Sequence, residues 1–206
     1  MNRLFVFILF FYGFIGQTAA QKQFNAGITA GFTATQVDGD NWQGYYKAGL
    51  CGGGFVNTKI GERYSLQLEL LYTQKGSKHN PDPVNSPFSF YEMGLSYIEI
   101  PILFRYHIKP QLIAEGGISY GRLLTSQEED MYGILPDDQA PFQKSEYAVH
   151  GGMDLKVYKN LHANLRASYS ILAIRFKPQI SGYYIIGGQF NNVIAFSLRY
   201  FFTENN

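Results

Sequence analysis

A histidine, a serine and a glutamate in the second half of the chain have the residue types of a hydrolase triad. His162 and Ser168 are predicted to share one strand, and Glu115 lies on another. A nucleophile and its base must come within hydrogen-bond reach of each other, but six residues of extended chain span about 20 Å. Strand alternation also puts both side chains on the polar side of that strand, away from the apolar side that a lipid substrate would contact. These residues therefore favour polar packing, and no enzymatic activity is expected.

The segment Asp38-Gly39-Asp40-Asn41 is similar to the start of a calcium-binding loop. Such a loop requires a bidentate glutamate at its twelfth position, where this chain has Gly49. The segment therefore predicts a turn, and we expect neither a metal nor a cofactor.

Charged residues recur on one side of the predicted strands. The set is Glu69, Glu99, Arg105, Glu115, Asp154, Lys156, Arg166 and Arg199. A Lys or Arg that faces lipid at the membrane midplane costs about 2–4 kcal/mol, whereas the opposite, apolar side costs nothing there. The charged side is therefore predicted to face an interior, in which acids and bases neutralise one another.

The stretch Tyr97–Tyr106 shows the pattern that positions these charges. Ile98, Ile100 and Phe104 alternate with Glu99 and Arg105, and a period of two is typical of a strand with two unlike faces. A bulge at Pro101 would turn one of these charges towards lipid. We therefore expect the alternation of inward and outward side chains to continue unbroken through Pro101.

The same alternation recurs in eight segments. They are Phe24–Ala34, Tyr46–Asn57, Tyr64–Lys75, Tyr97–Tyr106, Gln111–Leu123, Glu146–Tyr158, Leu161–Ile174 and Asn191–Phe202. Most reach the roughly 9–11 residues with which a tilted strand crosses a bilayer. Short and long connections alternate, as in outer-membrane barrels. The prediction is an all-β fold, an eight-stranded antiparallel up-and-down transmembrane β-barrel whose interior is filled by its own side chains.

The beginning of the chain has the features of an export signal. Arg3 precedes the apolar run from Leu4 to Ile15, and Thr18-Ala19-Ala20 forms a small-residue cleavage site. We expect residues 1–20 to be a cleaved signal peptide and 21–206 to form the barrel domain. Lys and Arg number 17 and Asp and Glu 16, so loss of Arg3 leaves a balanced chain without the basic footprint of nucleic-acid binding.

The sequence from Tyr97 to Tyr106 resembles the signature of the PorT-like outer-membrane β-barrel family. Leu68-Glu69-Leu70-Leu71-Tyr72, Gly116-Gly117 and the closing Leu198-Arg199-Tyr200-Phe201-Phe202 are similar to further parts of that family. The resemblance implies an eight-stranded barrel in the outer membrane of a Gram-negative bacterium. Members are often labelled porins, and the family takes its name from a component of a protein-secretion system. It supplies no catalytic residues.

Several aromatic residues lie in the predicted long loops, namely Trp42, Phe88, Phe90, Tyr91, Tyr132 and Phe142. Aromatic side chains on loops held by a rigid scaffold favour contact with a protein or a glycan. The expected partners are therefore outer-membrane lipid around the barrel and a protein or glycan at the loops.

The function expected from the sequence is that of a non-enzymatic barrel acting through its loops or through partner contacts, in envelope integrity, adhesion or assistance to secretion. One alternative is a narrow porin-like channel for small solutes, against which the filled interior argues. A second is a soluble periplasmic lipocalin-like barrel, which would carry the apolar face inside.

Overall fold

The computed structural model describes residues 24–81, 89–135, 141–176 and 188–203. The predicted signal peptide lies outside these residues. Within them, no helix is long and apolar enough to cross a membrane.

The described chain forms nine β-strands. They are β1 Phe24–Asp38, β2 Lys47–Lys59, β3 Tyr64–His79, β4 Tyr91–Lys109, β5 Leu112–Asp130, β6 Gly133–Ile134, β7 Ser145–Tyr158, β8 Leu161–Ser170 and β9 Phe190–Phe201. Neighbouring strands are antiparallel in the order β4-β3-β2-β1-β9-β8-β7-β5-β6, and a pairing between β4 and β5 closes the ring. Eight strands therefore form the closed barrel, and the two-residue β6 extends β5 beyond it.

Four strands are longer than the sequence pattern predicts. β1 continues to Asp38 instead of ending at Ala34, and the other three are β3, β4 and β5. The polar stretch after Lys75 and the one after Leu123 were expected as loops, yet β3 continues to His79, β5 continues to Asp130, and β4 already begins at Tyr91. The ladder continues because Gly76 pairs with Gly94 and the strands hydrogen-bond past their turn-forming residues. β8, in contrast, stops at Ser170, four residues before the predicted end of the seventh segment.

The two faces of the strands differ as their alternation predicts. On β4, Glu99 and Arg105 are buried inside the barrel, while Ile100, Ile102 and Phe104 are exposed on its outer surface. The alternation passes through Pro101 without interruption, since the pairs Leu68↔Ile102 and Leu71↔Glu99 keep one register. The register of the β4–β5 ladder does shift between Ser96 and Tyr97. Beyond this level, the other set of alternating β5 side chains faces inward.

Aromatic side chains form a ring at each end of the outer apolar surface. At one end, next to the short connections 60–63, 110–111 and 159–160, the ring contains Tyr64, Tyr106, Tyr200 and Phe202. At the other end, below the long connections, it contains Tyr72, Tyr120, Tyr147 and Tyr169. We call the end of the barrel with the short connections the turn end and the end with the long connections the loop end. Such girdles mark the two interfaces of a membrane.

Candidate functional site: charged interior and apolar cap

Arg199 on β9 lies at the centre of an ion-pair network that fills the barrel. Its Nη1 is 2.7 Å from a Glu115 oxygen and 2.8 Å from an Asp154 oxygen. Its Nη2 is 3.1 Å from Glu69. Only 1% of Arg199 is exposed. Three carboxylates from three other strands therefore meet at one guanidinium, which suits a planar group with five donors.

Two further arginines complete this tier. Arg166 donates to both oxygens of Glu69, at 2.8 and 2.9 Å, and its Nη2 is 2.8 Å from Glu115. Arg105 pairs with Asp154 at 3.0 Å. Each buried charge has a partner of opposite sign, which a buried charge requires.

A second tier lies nearer the loop end and is centred on Lys75. Its Nζ is 2.6 Å from Glu99 and 3.0 Å from Glu146, and all three side chains are buried. Lys75 and Glu146 were not among the predicted interior charges, and Lys75 was expected at the end of a strand. Both alternate in step with the interior side chains of their strands, but alternation does not indicate how far along a strand the interior extends.

The predicted interior charges lie together with one exception. The structure places Glu69, Glu99, Arg105, Glu115, Asp154, Arg166 and Arg199 in the two tiers. Lys156 is partly exposed near the turn end and, within the described chain, forms no ion pair. It lies where the barrel opens to water, so its charge needs no buried partner.

The three residues with the types of a hydrolase triad do not come together in the structure. His162 Nδ1 is 2.5 Å from Asp154, Glu115 is held by arginines, and Ser168 lines a cavity elsewhere in the barrel. This interior cavity measures about 40 Å³ and is also lined by Cys51 and His150. Pockets for small-molecule ligands commonly measure roughly 300–1,000 Å³, so this cavity is too small to hold such a ligand.

An apolar cluster, which we call the cap, closes the barrel above the charges at the loop end. Its buried members are Val37, Tyr91, Met93, Leu95, Tyr97, Phe142 and Ile174. Trp42 packs against them and stacks on His79 at 3.9 Å between ring centroids. Tyr91 and Phe142 were expected as exposed loop contacts, and this was wrong, because both rings fill the mouth of the barrel.

Arg175 and Glu128 hold the cap in place. The guanidinium donates to both Glu128 oxygens, at 2.6 and 2.9 Å, and its carbon lies 4.2 Å from the Phe142 ring centroid. The Tyr91 hydroxyl donates to the same carboxylate. This latch therefore joins β4, β5 and the connections that follow β6 and β8.

The other aromatic candidates have different environments. Tyr132 is 88% exposed at the tip of the β5–β6 hairpin, next to Ile134 at 71%, and Phe90 is half-buried. Phe88 lies outside the described residues. Asp40 accepts a hydrogen bond from the Trp42 amide at 2.8 Å, which is the side-chain turn its sequence indicates.

Residues 16–175 match the family model of the outer membrane protein beta-barrel domain. The chain belongs to this family. The protein is thus an integral barrel of a Gram-negative outer membrane, surrounded by lipid along its apolar face. In such barrels the long loops are extracellular and the short turns periplasmic, which orients the loop end and the turn end.

Several solved structures resemble this outer-membrane barrel. Neisserial surface protein A has a TM-score of 0.56 at 10% identity, covering 85% of this chain and 96% of that one. Ail of Yersinia pestis, solved with the heparin analogue sucrose octasulfate, has a TM-score of 0.49 at 11% identity, covering 87% and 99%. OprG of Pseudomonas aeruginosa has 0.45 at 10% identity, covering 88% and 97%. No curated protein matches the chain.

Proposed function

We propose that this outer-membrane protein is a closed, non-enzymatic barrel that acts through its extracellular surface. The observation that supports this function is the double closure of the interior. Ion pairs centred on Arg199 and Lys75 cross the lumen, and the cap lies above them. A barrel whose own side chains fill it offers its outer end, rather than a passage, for function.

The extracellular end has the features of a contact surface. β4 and β5 pair as far as Tyr91 and Asp130, well beyond the aromatic ring, so the hairpin tip is held away from the membrane. Tyr132 and Ile134 are largely exposed there, and exposed aromatic residues on a rigid support are frequent anchors of protein interfaces. The expected partner is a protein or a glycan, with adhesion, envelope integrity or assistance to secretion as the roles.

Site-specific photo-cross-linking in living cells tests this function. A photoreactive residue in place of Tyr132 is expected to give a discrete cross-linked species, since that position projects into the medium. The matched control is the same residue in place of Ile102 on the lipid-facing surface, which is expected to label lipid. Equal labelling patterns at the two positions would count against a specific extracellular contact.

We further propose that the chain is a PorT-like member of its family and is exported by cleavage after residue 20. The decapeptide from Tyr97 to Tyr106 supports the first part, and the small residues before Gln21 support the second. The mass of the mature N-terminus tests the cleavage, and retention of residues 1–20 would contradict it.

A narrow solute channel is the less favoured function. The interior cavity of about 40 Å³ is bordered by Glu69, Glu99 and Arg166 of the ion-pair network. Conduction would therefore require these ion pairs to separate.

A further inference from the structure

A depression lies beside Gly94 on the outer surface of the barrel. Gly76 on β3 faces Gly94 on β4, and both have the parity of the outward-facing Tyr72 and Lys78. The depression measures about 230 Å³, and its lining includes Lys47, Gln74, Gly94, Ser96, Thr125 and Gln127. We call it the outer groove. Its walls come from four neighbouring strands, so it is a feature of the barrel rather than of a loop.

The outer groove lies immediately above the extracellular aromatic ring. The Tyr72 hydroxyl donates to Ser96 Oγ at 3.1 Å, and Gln74 Nε2 donates to the same hydroxyl at 3.2 Å. Tyrosine rings of a girdle lie at the level of the lipid head groups. The groove is therefore at head-group height, with apolar surface directly below it.

Charges are distributed unevenly around the outer groove. Arg122 is exposed on the membrane side, on β5 opposite Ile98. On the upper side, Glu92 accepts from Lys47 at 2.5 Å and from Lys78 at 2.8 Å, and Glu129 faces Glu92 across the ladder. The three cations exceed the two carboxylates, and the cation nearest the membrane lies away from both acids.

We propose that the outer groove binds the phosphorylated sugar head group of a glycolipid in the outer leaflet. One sugar ring occupies the space above Gly94, its phosphate lies against Arg122, and its acyl chains continue down the apolar face past Leu70 and Ile100. Three features support this occupant: a polar lining, a cation on the membrane side, and continuity with the lipid-facing surface. The volume of the outer groove is smaller than that of a pocket for a drug-sized ligand, which is roughly 300 Å³ and upward. The smaller volume suits a single sugar ring.

The chain offers a matched pair of substitutions to test this site. A Cβ added at Gly94 would have its nearest neighbours 4.0 Å away, so the side chain of Gly94→Leu enters the groove without a clash at its Cβ. Gly151 on β7 is also outward-facing, and a Cβ there meets nothing within 4 Å, so Gly151→Leu is the control. Gly76 is unsuitable, because its φ of +144° strains any other residue.

The experiment measures binding of a diphosphorylated disaccharide glycolipid to the full chain in detergent micelles. The same glycolipid without phosphates, and inorganic phosphate alone, are the comparison ligands. We expect the phosphorylated glycolipid to bind at least about tenfold more tightly than the dephosphorylated one, as a charge-assisted hydrogen bond allows. Gly94→Leu should weaken its binding by about the same factor, and Gly151→Leu should not.

A second variant keeps the proposal testable if Gly94→Leu does not fold, which heat-modifiable gel mobility would reveal. Arg122→Gln should abolish the preference for the phosphorylated glycolipid while binding of the phosphate-free form persists. Equal binding of the two glycolipids to the unchanged chain would overturn the proposal. So would Gly94→Leu that folds and binds as the unchanged chain does, or inorganic phosphate that binds as tightly as the glycolipid.

Discussion

Arg199 is the residue at which the interior ion pairs converge, and its loss should be the most damaging single change in the barrel. Arg199→Met leaves Glu69, Glu115 and Asp154 with less compensation. Removal of one partner from a buried pair costs about 3–5 kcal/mol, so the free energy of unfolding should fall by about that amount. Reversible urea unfolding in lipid vesicles, followed by Trp42 fluorescence, measures it.

Lys156→Met is the matched control for this change. Lys156 is partly exposed near the turn end, where water screens its charge, so the free energy of unfolding should change by less than about 1 kcal/mol. Equal losses in the two variants would contradict the assignment of Arg199 to a desolvated network.

Glu92 provides a pH-dependent test outside the membrane. Hydrogen bonds from Lys47 and then from Lys78 hold the pKa of this carboxyl below its ordinary value. The lowered pKa stabilises the folded strand ends above the unfolded pKa of about 4.3, and this contribution is lost as the pH falls through the folded value. The Glu92 carboxyl resonance should therefore titrate below about 4.3. In Lys47→Met its midpoint should rise, and a midpoint unchanged by that substitution would contradict the pairing.

Strand parity alone was sufficient to predict which side chains are buried at most of these positions. Glu69, Arg105 and Asp154 lie inside because each alternates with an apolar neighbour that meets lipid. Parity cannot indicate how far along a strand the interior extends. Lys75 and Glu146 were therefore missed, although the same rule places them inside.

At the scale of elements, the latch between β5 and the connection after β8 should control how firmly the cap is held. Glu128→Gln removes the charge that accepts two hydrogen bonds from Arg175. Loss of a partner from a charged hydrogen bond costs about 1–3 kcal/mol, so proteolysis of the extracellular connections should accelerate about fivefold or more. Heat-modifiable gel mobility should persist, because the barrel below is intact.

Glu129→Gln is the control for the latch, since Glu129 is the next residue on β5 and is exposed on the outer surface. It should leave the rate of proteolysis unchanged. Acceleration by both variants to the same extent would indicate that the cap does not depend on the Arg175 contact.

The lipid-facing side of β4 gives a further element-scale prediction. Ile102 lies near the middle of the outward apolar residues of β4. Ile102→Lys should lower the free energy of unfolding in vesicles by about 2–4 kcal/mol, the cost of a lysine at the midplane. Ile134→Lys, at the exposed hairpin tip, should have almost no effect. A tolerated lysine at 102 would contradict the assignment of this face to lipid.

The eight barrel strands could be predicted from period-two alternation, but their extracellular ends could not. After Lys75 the chain reads Gly-Ser-Lys-His, which is typical of a loop, and nothing local indicates that Gly76 pairs with Gly94. The cap was missed for a related reason. Tyr91 and Phe142 lie in segments that the sequence predicts as long loops, and only the closed ring brings them to Val37 and Ile174.

At the scale of the molecule, two tiers of ion pairs and a latched cap lie one above another in a single closed barrel. Each layer uses side chains from several strands, so the closure belongs to the assembled ring rather than to any one strand. The extracellular hairpin and the outer groove then remain as surfaces for contact, one facing the medium and the other facing the head groups of the membrane.

Single-channel recording on the purified, folded full chain in planar lipid bilayers tests the central claim, that the barrel is closed. We expect no stable conductance, because opening would require the ion pairs of Arg199 and Lys75 to separate and the cap to leave the mouth. A stable ohmic conductance from the unchanged chain would contradict the closed barrel and would favour the solute channel instead.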